Sequence, residues 1–200
     1  VALFQMLPLI VGASLKSPLN VARLVHLGLA AGTASLGLAL ITNKPWLFEI
    51  AILFLGPALF LVFFKVGQAI FKSTAGYDTS RSMQIAVASL FITLVFGIIL
   101  ALSYVFVRLS EARNIITGIH LSWGLLGWMN ILVIGVSYQV IPMFFVAKPH
   151  LKLGRQILSP IIFLSLLGIS LCEVFSETSP PLVRSILRGL LFISILFFVL

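Results

Sequence analysis

Charge is the scarcest commodity in this chain. Only 9% of its 200 residues are Asp, Glu, Lys or Arg, and 60% are hydrophobic. A water-soluble domain of this size lacks the interior to hide so much apolar surface. Several windows of about 20 residues carry no charge at all, the length that crosses a hydrocarbon core of roughly 30 Å. The apolar runs are continuous and do not alternate with polar residues, which excludes a closed β-barrel. Cysteine occurs once, at Cys172, so neither an internal disulfide nor a thiolate metal cluster can form. No two histidines stand at HH, HxH or HxxxH spacing. A zinc or copper site built from protein alone would need ligands gathered from across the fold, and none is evident. Met6, Met83, Met129 and Met143 have no copper-binding spacing either. The net charge of +8 does not imply nucleic acid, because in such a chain basic residues report topology.

What is present is an all-α, polytopic transmembrane bundle of about seven segments in a single domain, with the lipid bilayer as its principal partner. The segments run over about 1–15, 19–41, 46–71, 82–107, 114–146, 154–175 and 181–200. The first is not a signal peptide, since it has no basic leader and Pro8 sits in its middle. A start at Val1 and an end inside the run LLFISILFFVL predict an excerpt of a longer protein. Alternate connections differ in Lys and Arg. One side holds Lys16, Arg23, Lys65, Lys72, Arg81, Lys148, Lys152 and Arg155; the other holds Lys44, Arg108, Arg113, Arg184 and Arg188. Eight against five assigns the first side to the cytoplasm. The fifth segment then enters from the outer face, and His120 lies in the outer leaflet. His26 lies in the inner one.

The stretch TGIHLSWGLLGWMNILVIGVSYQVIPMFFVAKP, residues 117–149, carries the most information. At 100° per residue, Gly124, Gly127, Ile131, Gly135 and Tyr138 fall within about 60° of His120. A histidine above a row of glycines can seat a flat ligand, or it can let another helix come close. The segment closes with Gln139, then Pro142, then a basic loop. His26 shares its face with Ala30, Thr33, Ala34 and Gly37, a strip of the kind that mediates helix contact in lipid; it is the weaker ligand candidate. His150 reads as a solvated loop side chain. Gln68, Gln84, Thr93, Asn130 and Gln139 read as interhelical hydrogen-bonding groups, and Glu173 as an interfacial acid. Trp46, Tyr77 and Tyr104 suit the aromatic belts. Trp123 and Trp128 suit core packing, with flanking of a flat ligand as the alternative. Ionisable groups inside a membrane are costly, which makes a function for His26 and His120 a fair default.

The order His120, Gly135, Pro142, then PMFFVAKPHLKLGRQ and a new apolar helix resembles the second helix of the heme-copper oxidase catalytic subunit. The phrase HLSWGLLGWMNILVIGVSYQVIPMF looks similar to bacterial membrane proteins related to that subunit and to the NnrS-type heme proteins. The match is concentrated in residues 117–156. The resemblance implies a b-type heme with His120 on its iron, electron-transport or O2/NO-related redox chemistry, respiratory membrane subunits as partners, and a bacterial inner membrane. It does not extend to the oxidase copper site, whose histidine and histidine pair are absent from these residues, nor to the later helix with two histidines. Two rivals stand beside it. Glycine- and proline-interrupted helices also build transport sites, and the Val/Ile-His-Leu starts at His26 and His120 would then be a weak inverted repeat. A cofactor-free structural or assembly subunit is the other.

Overall fold

The structure is a computed structural model that describes residues 8, 12, 18–72, 76–146, 152–175 and 180–199. The segment expected at 1–15 falls almost wholly outside the described residues, as does His150. Among the described residues all regular structure is helical: α1 Pro18–Thr42, α2 Pro45–Phe71, α3 Tyr77–Leu102, a 3-10 turn Val107–Leu109, α4 Arg113–Ser122, a π-helical stretch Trp123–Asn130, α5 Ile131–Phe145, α6 Lys152–Val174 and α7 Pro181–Val199. The stretch Arg113–Phe145 is one rod of 33 residues, and with it six helices are long and apolar enough to cross a membrane. The chain is an integral membrane protein in that sense.

Two compact units divide the chain. One comprises Val1–Thr74 and Phe91–His120, the other Ala75–Leu90 and Leu121–Leu200. In the first, α1 and α2 are joined by only Asn43 and Lys44. Asn43 adopts a left-handed backbone with φ 56, and its N–H closes onto the Ala39 carbonyl at 2.8 Å. Asparagine tolerates that conformation at a helix C-terminus, and Pro45 follows at the first position of α2, where its missing N–H costs nothing. The hairpin zips through Gly28 and Gly32. A Cβ at Gly28 would stand 2.8 Å from the Ala58 Cβ, and one at Gly32 would stand 2.8 Å from Leu55 Cδ2. So the helix contact of α1 uses this pair, spaced four apart, with Ala22, Val25 and Ala39, and not the strip expected from sequence. His26, Ala30, Thr33, Ala34 and Gly37 are exposed. Two glycines permit a closer approach than a strip of Ala and Thr, so dispersion favours their face. At the hairpin end Ala39, Leu47 and Phe48 form a core that takes in Leu36, Ala101, Tyr104 and Val105.

In the second unit the first half of α3 meets the π-helical stretch, α5 and α6, and α7 packs on α6. Helix α3 begins five residues before the expected start at 82, because its polar first turns are satisfied. Asp78 pairs with Arg155 at 3.1 Å, Arg81 donates to the Gln156 carbonyl at 3.5 Å, and buried Ser82 receives a hydrogen bond from Ser159 at 2.8 Å. The core centres on Trp123, 1% exposed. Its ring meets Phe163 edge-on at 5.1 Å, and its indole N–H donates to Ser170 Oγ at 2.8 Å. The end expected at 146 is met, and Pro142 stands in the closing turns before it. It lies inside α5, which runs on to Phe145 and ends at Val146 with φ 48. Neighbouring groups can re-satisfy backbone freed by proline in a membrane helix.

Candidate functional site

His120 is the last residue that the first unit takes from the long rod. It is half-buried. Its Nδ1 lies 3.0 Å from the Thr93 carbonyl oxygen of α3. A carbonyl only accepts, so the imidazole proton resides on Nδ1 and is donated there. The Thr93 carbonyl is also the acceptor for the helical N–H four residues on, at Gly97, and a carbonyl oxygen has lone pairs for both. Gly97 makes the second bond possible. A Cβ at that position would sit 2.9 Å from His120 Cε1 and 3.3 Å from Nδ1. The missing side chain is therefore the seat of the ring and the opening through which it reaches the backbone.

Above the ring, at the start of α4, Arg113 closes the end of α3. Its Nη2 donates to the Ser103 carbonyl at 2.6 Å and its Nε to Ser103 Oγ at 3.2 Å. That satisfies a carbonyl left open where the helix ends. The guanidinium lies 4.2 Å over the Tyr104 ring, and Tyr104 stacks on Phe48 with centroids 4.5 Å apart. This is a cation–π stack on a buried aromatic platform. Tyr104, read as an aromatic-belt residue, forms this platform with Phe48.

The chemistry open to His120 follows from its tautomer. In the neutral ring the Nδ1 proton is committed and Nε2 keeps its lone pair, and no hydrogen bond to Nε2 occurs among the described residues. A metal-binding histidine characteristically donates its other ring N–H to a carbonyl or carboxylate, which sets orientation and basicity. Among the described residues no group of three or more His, Cys, Asp or Glu comes together. One neutral imidazole nitrogen fits a metal that arrives within its own ring of donors, as heme iron does in a porphyrin.

The other expected site residues fare differently. His26 is exposed on α1. Two positions of the glycine row already have protein neighbours. At Gly127 a Cβ would stand 3.0 Å from Trp123 Cε3 and 3.1 Å from Ser89 Cβ; at Gly135 it would stand 3.0 Å from Ser82 Cβ. At Gly127 and Gly135 the close approach is to α3, the helix-packing use expected for these glycines. Gly124 is half-buried. Residues 123–130 are also π-helical, with i to i+5 hydrogen bonding in place of i to i+4, so a face drawn at 100° per residue does not continue through them. Trp123 is core, Gln68 and Gln84 are exposed, and Glu173 pairs with Arg188 at 2.9 Å. Sequence reasoning missed Gly97, Ser103 and the cap made by Arg113; Thr93, read as an interhelical hydrogen-bonding group, takes the His120 bond on its carbonyl. A signal existed: Gly97 is the lone glycine in the run FITLVFGIIL, four positions after Thr93. No family model, curated protein or solved structure matches this chain, so the residues themselves carry the functional argument.

Proposed function

We propose that this chain is an integral membrane heme-binding protein, with His120 as an axial ligand of a b-type heme through Nε2. The observation that carries the reading is the Nδ1–H bond to the Thr93 carbonyl at 3.0 Å. It commits one nitrogen as a donor, leaves the other as a ligand, and holds the ring against Gly97. Such a bond raises ligand basicity and fixes ring orientation. Heme, when bound, supplies one-electron redox chemistry or a site for a small gas. The chain's own part is to orient the imidazole, exclude water around it and hold the proton on Nδ1. The Lys and Arg asymmetry supports an outer-leaflet position for His120, and the resemblance of residues 117–156 to the oxidase helix supports the same side. A bacterial inner membrane and respiratory subunits as partners belong to this reading. His26, exposed among the described residues, is the comparison residue and not the ligand.

The test is spectroscopic and uses the full-length protein expressed with ample heme. Reduced-minus-oxidised spectra are recorded for the parent, His120→Ala and His26→Ala. Loss of a heme signal in the His120 variant alone is the expected result. Loss in the His26 variant alone moves the site to the opposite leaflet. A parent without a Soret band ends the heme reading and leaves a solute transporter as the better account.

A further inference from the structure

Arg113 is held more firmly than a helix cap requires, and its charge is left over. The guanidinium is fixed by two hydrogen bonds to Ser103 and by the Tyr104 face. It has no carboxylate partner among the described residues, where the ion pairs are Arg155–Asp78 and Arg188–Glu173. Its Nη1 donates to nothing among them. A half-buried cation in a membrane protein gains from an anion. Seven residues separate it from His120 along regular α-helix. That is 20° short of two full turns and about 10.5 Å of rise, so both side chains leave the same face of α4. Arg113 is the only Lys or Arg in that helix.

We infer that Arg113 is a second anchor for the group held at His120, its guanidinium taking a carboxylate of that group. The inference rests on the heme reading and deepens it. Protoporphyrin carries two propionate carboxylates on one edge, and an arginine fork suits a carboxylate. The His120 nitrogen would then set where the iron sits, and Arg113 which edge of the macrocycle turns toward the Leu102–Arg113 end. A cap and cation–π role alone explains the Ser103 and Tyr104 contacts but gives the ligand no share in them.

The test separates the two. Full-length apoprotein in detergent is titrated with hemin and with hemin dimethyl ester, which keeps the iron and ring but has no carboxylates. The Soret band is read for wild type, Arg113→Ala, Arg113→Gln and His120→Ala. The Gln variant can still donate to Ser103, which covers the case in which Ala fails to fold. A charge-assisted hydrogen bond predicts roughly tenfold weaker hemin binding or more in the Arg113 variants. Their affinity for the ester should stay within about twofold of wild type on the same grounds. Equal weakening toward both porphyrins assigns Arg113 to the fold alone and overturns the inference, as does no weakening toward either. A wild-type protein with no His120-dependent Soret band for either porphyrin overturns the heme reading itself, a different result from both.

Discussion

Gly97→Ala is the perturbation that tests the site without any ligand. In an ordinary exposed helix position this change stabilises by about 1 kcal/mol, because alanine gives up less backbone entropy than glycine. Here the added Cβ would fall 2.9 Å from His120 Cε1 and 3.3 Å from Nδ1. The ring has to move, and the Nδ1–H bond to Thr93 stretches or breaks. Overpacking costs roughly 1–3 kcal/mol. An interhelical hydrogen bond in a membrane protein is worth about 0.6 kcal/mol on average. Set against the propensity gain, the net is a destabilisation of about 0.6–2.6 kcal/mol. The sign therefore discriminates, and the assay is reversible unfolding of purified protein in mixed detergent–SDS micelles. In a His120→Ala background the obstacle is gone, and Gly97→Ala should become neutral or stabilising. That reversal makes a coupling of about 1.6–3.6 kcal/mol between the two sites. A Gly97→Ala protein as stable as the parent, with additive behaviour in the double variant, refutes the seating of His120 on α3.

Four further outcomes are expected. Gly127→Leu should destabilise by about 3 kcal/mol or prevent accumulation, since Ser89 and Trp123 already occupy the space beside Gly127; circular dichroism and yield from membranes check it. Trp123→Phe keeps the edge contact with Phe163 but loses the hydrogen bond to Ser170, for a cost of about 1 kcal/mol in the same unfolding assay. Asp78→Asn leaves the Arg155 guanidinium without its partner, for a loss of about 2 kcal/mol, and the exchanged pair Asp78→Arg with Arg155→Asp should recover part of it. For topology, cysteines at exposed Gly76 and Glu111 are placed in a Cys172→Ser background and labelled in intact cells with an impermeant maleimide. Label at Glu111 and protection at Gly76 is the expected pattern, and its inverse reverses the orientation read from Lys and Arg.

Sequence alone determined the class of this protein. Long uncharged runs need no partner to be recognised, because the bilayer acts on each segment's own length and composition. Five of the six long helices were therefore legible to within about three residues at both ends, a usual margin. The two-residue turn at Asn43 and Lys44 follows from local chemistry too, asparagine at a left-handed position and proline behind it. The start of α3 was not legible, because Asp78, Arg81 and Ser82 read as a loop until Arg155, Gln156 and Ser159 satisfy them from α6. His120 could be singled out from sequence, since an ionisable ring in an apolar segment is conspicuous by itself. What surrounds it could not. Small residues open a face on several helices at once, and only close packing selects which faces meet: Gly28 and Gly32 over the His26 strip, Ser89 against Gly127, and Gly97 under His120. The tautomer of His120 depends likewise on a backbone oxygen 27 positions away. No composition or periodicity encodes that oxygen, because every residue carries one. Which carbonyl is bared to the ring is decided by a missing side chain on a neighbouring helix, and that is a property of the packed pair.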